Sequence, residues 1–122
     1  MPQNRRALGA EMETRAAEYL TGLGLVLTDR NFHCHFGEID LIFRDGPAVV
    51  FVEVKYRRAG EYGRGAEAVT RKKQETIVKC ARYYLYFRRF PDDTPCRFDV
   101  VEINGGEVHW IRDAFDATPG YF

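Results

Sequence analysis

A run of apolar residues from Val49 to Val54 constrains the fold of this chain more than any other feature. It reads Val-Val-Phe-Val-Glu-Val and lies inside a segment from Ala48 to Tyr56 that is rich in β-branched and aromatic residues. A segment this apolar is predicted to form a central strand of a sheet. A charge inside such a strand costs free energy unless it is paired or binds metal, so Glu53 needs a partner.

Two further segments have the periodicity of amphipathic helices. The first helix is predicted from about Gly9 to Leu23, and its apolar stripe comprises Met12, Ala16, Tyr19, Leu20 and Leu23. The second is predicted to begin after a capping Thr70 and to end near Arg89. Its inward stripe comprises Ile77, Val78, Ala81, Tyr84 and Leu85.

The remaining strands are marked by turn residues and hairpin spacing. They are expected at Leu25 to Phe32, Phe36 to Arg44, Arg97 to Ile103 and Glu107 to Arg112, and an irregular loop is expected at Arg58 to Ala68. The element order is therefore α-β-β-β-α-β-β. This order favours an α/β fold with a mixed central sheet flanked by the two helices.

Length and composition are typical of one globular domain. The chain has 122 residues, of which 45% are hydrophobic and 30% charged, so we expect one domain over residues 1–122, with residues 1–7 as a disordered N-terminus. No apolar run approaches the ~20 residues that cross a bilayer, so we expect a cytoplasmic protein with no membrane association. The three cysteines lack metal-site spacing and are expected to be reduced thiols.

The charges are strongly segregated along the chain. Between Lys55 and Arg89 there are 11 Lys or Arg and three Glu, a net charge of +8, and the remainder carries −8. A basic face would suit a polyanion such as nucleic acid, whereas the alternative is an ordinary solvated helix surface. The candidate residues for contacting nucleic acid are Arg57, Arg58, Arg71, Lys72 and Lys73.

Acidic residues occur at two-residue spacing in the two neighbouring strands. Glu38 and Asp40 are predicted to share one face of their strand, with Ile39 and Leu41 on the other, and Glu53 and Lys55 share a face of the next. If the strands pair, the polar faces can coincide. Spacing alone is equally compatible with a cross-strand salt bridge through Lys55 and with a metal site.

A hard divalent cation is one partner that such carboxylates could have. Mg²⁺ prefers oxygen ligands and commonly takes one or two protein carboxylates, several waters and phosphate oxygens. Asp40 and Glu53 suit that role, and Lys55 could orient or deprotonate a water and offset charge in a transition state. On the first helix Glu13 falls at the edge of the apolar stripe, from which it could reach the sheet.

Gln74 falls within the apolar stripe of the second helix, with Lys73 at its margin. Both side chains could face the site, although a polar amide is unexpected in this place. The alternatives are a hydrogen-bonded amide of the core and a helix end that lies outside the core.

The motifs taken together resemble those of a known family. Gly37-Glu38-Ile39-Asp40-Leu41-Ile42 followed by Phe51-Val52-Glu53-Val54-Lys55 resembles the signature of the small bacterial YraN family. That family is similar to archaeal Holliday junction resolvases of the PD-(D/E)xK nuclease superfamily, which have a restriction-endonuclease-like fold. The resemblance spans most of the chain and includes Glu13, Arg30-Asn31, Lys73-Gln74 and Phe98-Asp99-Val100-Val101.

The resemblance implies roles for individual residues. Asp40 and Glu53 would hold Mg²⁺ or Mn²⁺ together with the main-chain carbonyl of Val54, and Lys55 would act on the attacking water. Glu13 would complete or support the metal site. Glu38 matches the motif, although no task is implied for it.

The function expected from these patterns is metal-dependent hydrolysis of nucleic acid. DNA is favoured over RNA, including branched or junction DNA, and cleavage of a symmetric junction would need a homodimer. The alternative is a non-catalytic module that binds nucleic acid or protein and retains the nuclease fold.

Overall fold

The structure is a computed structural model that describes residues 5–57 and 69–117. It contains two helices, α1 (Arg5–Gly22) and α2 (Arg71–Phe87), and the strands β1 (Val26–Cys34), β2 (Gly37–Asp45), β3 (Ala48–Arg57), β4 (Cys96–Asn104) and β5 (Glu107–Phe115). The predicted order α-β-β-β-α-β-β is confirmed. The predicted loop at Arg58 to Ala68 lies outside the described residues.

The first helix is longer than predicted. It begins at Arg5, so residues 5–7, which we expected to be disordered, form its first turn, and residues 1–4 lie outside the described part of the chain. The buried stripe of α1 is Met12, Ala16, Ala17 and Leu20. Two predicted members of the stripe, Tyr19 and Leu23, are exposed, because Tyr19 lies at the margin of the stripe and Leu23 follows the end of the helix.

All five strands form one sheet whose spatial order equals their order in the chain, β1-β2-β3-β4-β5. Three of the neighbouring pairs are antiparallel, and β3 and β4 are parallel. Parallel neighbours require a crossover connection, and α2 lies in the segment between these two strands. The mixed sheet predicted from the sequence is therefore confirmed, with β3 as its middle strand.

Each face of the sheet packs against one helix. Val50 and Val52 of β3 lie in the core cluster that includes Ala16 and Leu20 of α1. The alternate residues Val49 and Phe51 lie in the other cluster, which includes Ile77, Val78, Ala81 and Tyr84 of α2. Burial on both faces explains why this strand is an almost uninterrupted apolar run. The sequence prediction of a central strand is correct for the same reason.

Candidate active site

Asp40 lies where the regular alternation of β2 is broken. Ile39 packs in the core cluster beneath α2 and Leu41 in the cluster beneath α1, so the prediction that they share a face is wrong. In β1 the register from Arg30–Leu41 to Phe32–Ile39 brings Asn31 opposite Asp40, and Asn31 has a left-handed φ of 53°. At this irregularity the side chains of both β1 and β2 change from one face of the sheet to the other. Simple alternation of residues along a strand could not predict this change.

The strands β2 and β3 also separate at this point. Their regular pairing ends at Leu41–Val52, and beyond it the backbone N–H of Val54 donates to Oδ2 of Asp40 at 2.9 Å. The carboxylate of Asp40 therefore replaces a ladder partner of β3. Its position is fixed next to Glu53, the residue that precedes Val54.

Glu53 is the deeply buried carboxyl group of the site, because only 6% of its surface is exposed. Its Oε2 atom lies 3.7 Å from Nζ of Lys55 and 3.9 Å from Nζ of Lys73. Burial raises the pKa of Glu53 to about 8, helped by the charge of Asp40 and a hydrogen bond with it, whereas the two lysines lower the pKa. The two lysines therefore offset only part of the cost of placing Glu53 next to Asp40.

Glu13 approaches the same place from α1. One of its carboxylate oxygens lies 3.7 Å from Nη2 of Arg30. Burial raises the pKa of Glu13, and the charge of Asp40 raises it further, while Asn31 and Arg30 lower it. The charge of Asp40 therefore disfavours ionisation of this glutamate.

The three carboxyl groups line one open cavity of about 330 Å³. Glu13, Asp40, Glu53 and Val54 provide its polar side, and the rest of its wall comprises Leu8, Gly9, Met12 and Tyr56. The structure thus brings together all four residues named as metal ligands from the resemblance. Lys55 does not line the cavity, but its ion pair with Glu53 holds its ammonium group beside that carboxylate.

Two carboxylates at the cavity could hold a divalent cation that keeps most of its waters, such as Mg²⁺. Within residues 5–57 and 69–117, no group of three or more His, Cys, Asp or Glu side chains has a geometry that could hold a metal ion. The site therefore offers the adjacent pair Asp40 and Glu53, with Glu13 further out. Mg²⁺ keeps several waters and needs only one or two protein carboxylates, so a pair of this kind is sufficient for it.

Lys73 faces the site, as its position at the margin of the α2 stripe allowed. It was expected to contact nucleic acid, but its ammonium group lies 3.9 Å from Oε2 of Glu53. Thr70 accepts a hydrogen bond from the backbone N–H of Lys73 and so fixes the first turn of α2 beside β3. The signal in the sequence was the position of Lys73 at the margin of the buried stripe.

Three of the predicted catalytic residues do not line the cavity: Lys55, which is ion-paired with Glu53, and also Glu38 and Gln74. Oε2 of Glu38 lies 3.6 Å from Nε2 of His33, and its side chain is nearly half exposed. Nε2 of Gln74 donates to the carbonyl of Val69 at 3.0 Å, which holds the segment that leads into α2. Gln74 therefore has the hydrogen-bonded amide role that was the alternative to a place in the site.

The other basic candidates are spread over the surface. Arg57 is bound to the fully buried Glu102, with 3.1 Å between Nε and Oε2. Arg71 and Lys72 are exposed on the first turn of α2. Arg58 lies outside the described residues.

No helix in the described part of the chain is long and apolar enough to cross a bilayer.

Comparisons with known proteins agree with the motifs. Residues 12–103 match the model of a family described as "Uncharacterised protein family UPF0102". Relatives called "UPF0102 protein" include one from Chromohalobacter salexigens, 48% identical over 92% of this chain and 93% of its own length. Another, from Lachnoclostridium phytofermentans, is 46% identical over 93% of this chain and 97% of its own length. The chain therefore belongs to the uncharacterised protein family UPF0102, the YraN family that its motifs resemble.

Proposed function

We propose that this protein is a metal-dependent nuclease that hydrolyses phosphodiester bonds in DNA at the cavity lined by Asp40 and Glu53. The observation that carries the proposal is the pair itself. A buried glutamate whose pKa is raised to about 8 lies against a second carboxylate in an open cavity, where a cation would relieve their repulsion. The resemblance of the surrounding motifs to nuclease motifs supports the same assignment.

Asp40 and Glu53 would hold Mg²⁺ or Mn²⁺, with the Val54 carbonyl as a further oxygen ligand. The cation would supply a water of lowered pKa and polarise the phosphodiester. The N–H of Val54 fixes the orientation of Asp40, and Lys73 stabilises the ionised form of Glu53. Glu13 adds negative charge at the far side of the cavity and would orient water that completes the coordination.

Lys55 is the residue that we assign to the reacting phosphate and water. It lies two positions after Glu53 on the same strand, and its side chain is one-third exposed. A cation at this place can orient the attacking water and stabilise the negative charge that develops on the phosphate oxygens. Its ion pair with Glu53 keeps the long side chain beside that carboxylate before substrate binds.

The substrate that we propose is DNA, including branched DNA, held by its phosphates at the basic surface of α2. Binding of this type depends little on sequence and weakens steeply with salt. Cleavage of a symmetric junction would additionally need a homodimer that presents two cavities.

A non-catalytic nucleic-acid-binding module is the second candidate function. It is favoured by the two lysines at Glu53, which can satisfy that carboxylate without metal. In this case the acidic pair would be structural, and the protein would bind nucleic acid without cutting it.

Calorimetric titration with Mn²⁺ distinguishes the two functions. We expect the wild type to bind one ion and both Asp40→Asn and Glu53→Gln to lose at least about tenfold in affinity. Glu11→Gln, which changes an exposed residue of α1, is the control and should bind as the wild type does. The same variants are then incubated with a panel of DNA and RNA substrates and Mg²⁺ or Mn²⁺. Equal metal affinity in all variants, together with no metal-dependent cleavage of any substrate, would refute the nuclease proposal.

A further inference from the structure

Aromatic side chains are exposed on one side of the molecule, where the turn between β1 and β2 meets α2. Tyr83 and Phe87 of α2 are stacked, with 6.0 Å between ring centroids and 8° between ring planes. His35 lies 4.0 Å from Phe36 and 6.1 Å from Tyr83, measured between centroids. We call these four residues, His35, Phe36, Tyr83 and Phe87, the aromatic array.

The core does not account for the aromatic array. The buried side of α2 is formed by smaller residues and by Tyr84, which is almost fully buried, whereas Phe87 is 58% exposed. Tyr86, beside the array on the next turn, is 84% exposed. Large exposed rings that are grouped together mark an interaction surface more often than scattered ones do. We therefore infer that the aromatic array binds a partner.

Cations accompany the rings on the outer side of α2. At 100° per residue Lys72 and Lys79 fall within 40° of Tyr83, and both are exposed. Arg82 and Arg89 line a groove of about 730 Å³ together with Tyr86. Glu75 is the one acidic residue within α2, and Asp92 lies at the groove. The surface around the array is thus both aromatic and predominantly basic.

This combination fits an unpaired nucleic-acid strand better than other partners. Unpaired bases stack on aromatic side chains irrespective of sequence, and their phosphates bind Lys and Arg. Duplex DNA keeps its bases stacked inside the helix and so cannot use the rings. A second copy of the chain in a two-fold contact would bring this basic surface against the same basic surface of the partner copy, which is repulsive.

We propose that the aromatic array and the cations beside it bind single-stranded DNA, with bases stacked on Tyr83 and Phe87 and phosphates at Lys79 and Arg82. Ten residues separate Lys73 from Tyr83, so the array lies about 15 Å along α2 from the carboxylate pair. The inference names single-stranded DNA as a substrate class for the proposed nuclease. It rests on the proposed function only in the choice of DNA. Binding at the array does not require an active cavity.

Fluorescence anisotropy with a labelled oligodeoxythymidylate of about 15 nucleotides tests the proposal. We expect Tyr83→Ala and Phe87→Ala each to weaken binding by about tenfold, and Tyr83→Phe, which keeps the ring, to bind as the wild type does. Tyr19→Ala removes an exposed tyrosine from α1, so it is the matched control and should leave the affinity unchanged. Lys79→Ala should weaken binding and reduce its dependence on salt concentration.

A duplex of the same length should show no loss of affinity in Tyr83→Ala, since stacking is not available to it. Unchanged oligodeoxythymidylate affinity in both Tyr83→Ala and Phe87→Ala, with thermal unfolding like that of the wild type, would overturn the inference. Reduced self-association of these variants in sedimentation, without a change in oligonucleotide affinity, would overturn it too, because a second copy would then cover the array.

The proposed function and this inference can fail separately. Mn²⁺ affinity of Asp40→Asn tests the proposed function, and oligonucleotide affinity of Tyr83→Ala without added metal tests the array, so each result is obtained independently of the other. Loss of oligonucleotide binding in Tyr83→Ala alongside absent metal binding in the wild type would refute the nuclease and leave the array as a binding surface.

Discussion

Asp40 and Glu53 form a hydrogen-bonded pair of carboxyl groups at the cavity. Two negative charges in contact at a buried site repel each other, and desolvation adds to that repulsion. Lys55 and Lys73 offset part of this energy at distances near 4 Å. In the metal-free protein, ionisation of Glu53 is therefore unfavourable for the folded state.

Glu53 should make the stability of the metal-free protein depend on pH. Its folded pKa of about 8 lies above the ordinary value of 4.5, so its contribution is fully present below about pH 4.5 and is lost as the pH rises through about 8. We expect Glu53→Gln to remove this decline. Urea unfolding at pH 5, 7 and 9, with a chelator present, measures the free energy of unfolding. The histidines contribute equally to the wild type and the variant, so the difference between the two proteins reports on Glu53 alone. A decline of equal size in Glu53→Gln would contradict the prediction.

Asp99 is a second buried carboxylate, and its role is structural. It accepts hydrogen bonds from Nε and Nη2 of Arg97, from Nε1 of Trp110 and from the backbone N–H of Asp113, at 2.9 to 3.1 Å. These contacts join β4 to β5. The family motif contains this residue, but only the structure shows that its four donors saturate it.

Asp99→Ala should destabilise the fold by about 3–5 kcal/mol, because it leaves the buried guanidinium of Arg97 with Asp45 as its remaining ion-pair partner. Asp93→Ala, at an exposed site after α2, should change the free energy of unfolding by less than about 0.5 kcal/mol. Urea unfolding of both variants is the measurement. A loss under about 1 kcal/mol for Asp99→Ala would show that the network contributes little.

At the scale of elements, the strand β3 could be predicted from its residues and β2 only in part. The apolar run of β3 indicates burial on both faces, which both core clusters confirm. In β2 the alternation holds from Leu41 to Phe43 and fails between Ile39 and Leu41. The failure depends on the left-handed Asn31 in the neighbouring strand, a tertiary contact that no pattern within β2 encodes.

The site could be predicted to a similar extent. Spacing placed Asp40, Glu53 and Lys55 together because they lie on adjacent strands, and the edge position of Glu13 on α1 indicated its approach. Gln74 and Lys73 were harder to assign. Their roles depend on how the first turn of α2 meets Val69 and Glu53, which is a matter of packing rather than of periodicity.

Gly37 begins β2 at a point where α2 passes very close. Its φ is 147°, and a Cβ atom there would lie 2.8 Å from Cγ2 of Thr76. Gly37→Ala should therefore cost about 2–3 kcal/mol, through backbone strain and displacement of α2. The control is Gly46→Ala, whose φ is 59° but whose Cβ would meet nothing within 4 Å, so only the strain of about 1 kcal/mol applies. Equal losses in urea unfolding would mean that the contact with Thr76 relaxes freely.

For the molecule as a whole, the net charge of zero conceals its separation into basic and acidic parts. The helix α2 carries five Lys or Arg and one Glu, so its outer surface attracts a polyanion. The proposed metal site lies at the beginning of this helix and the aromatic array near its end. A strand that follows α2 would contact both, which gives the basic surface a role in positioning substrate as well as in attracting it.

Divalent cations should raise the Tm if Asp40 and Glu53 form a metal site and should leave it unchanged if Glu53 forms only a salt bridge. A ligand at 100 times its Kd adds about 2.7 kcal/mol, which corresponds to a rise of about 10 °C in Tm for a domain of this size. We expect this rise with Mg²⁺ at pH 8, compared with NaCl of equal ionic strength, and expect none in Asp40→Asn.

Glu53→Gln should likewise not respond to Mg²⁺, yet its Tm without metal should exceed that of the wild type at pH 8, because the unfavourable ionisation of Glu53 is removed. If Glu53 served only as the ion-pair partner of Lys55 and Lys73, the same substitution would lower the Tm, since it would leave both ammonium groups without that partner. Thermal unfolding followed by circular dichroism, with and without Mg²⁺, therefore gives opposite signs for the two roles of this residue.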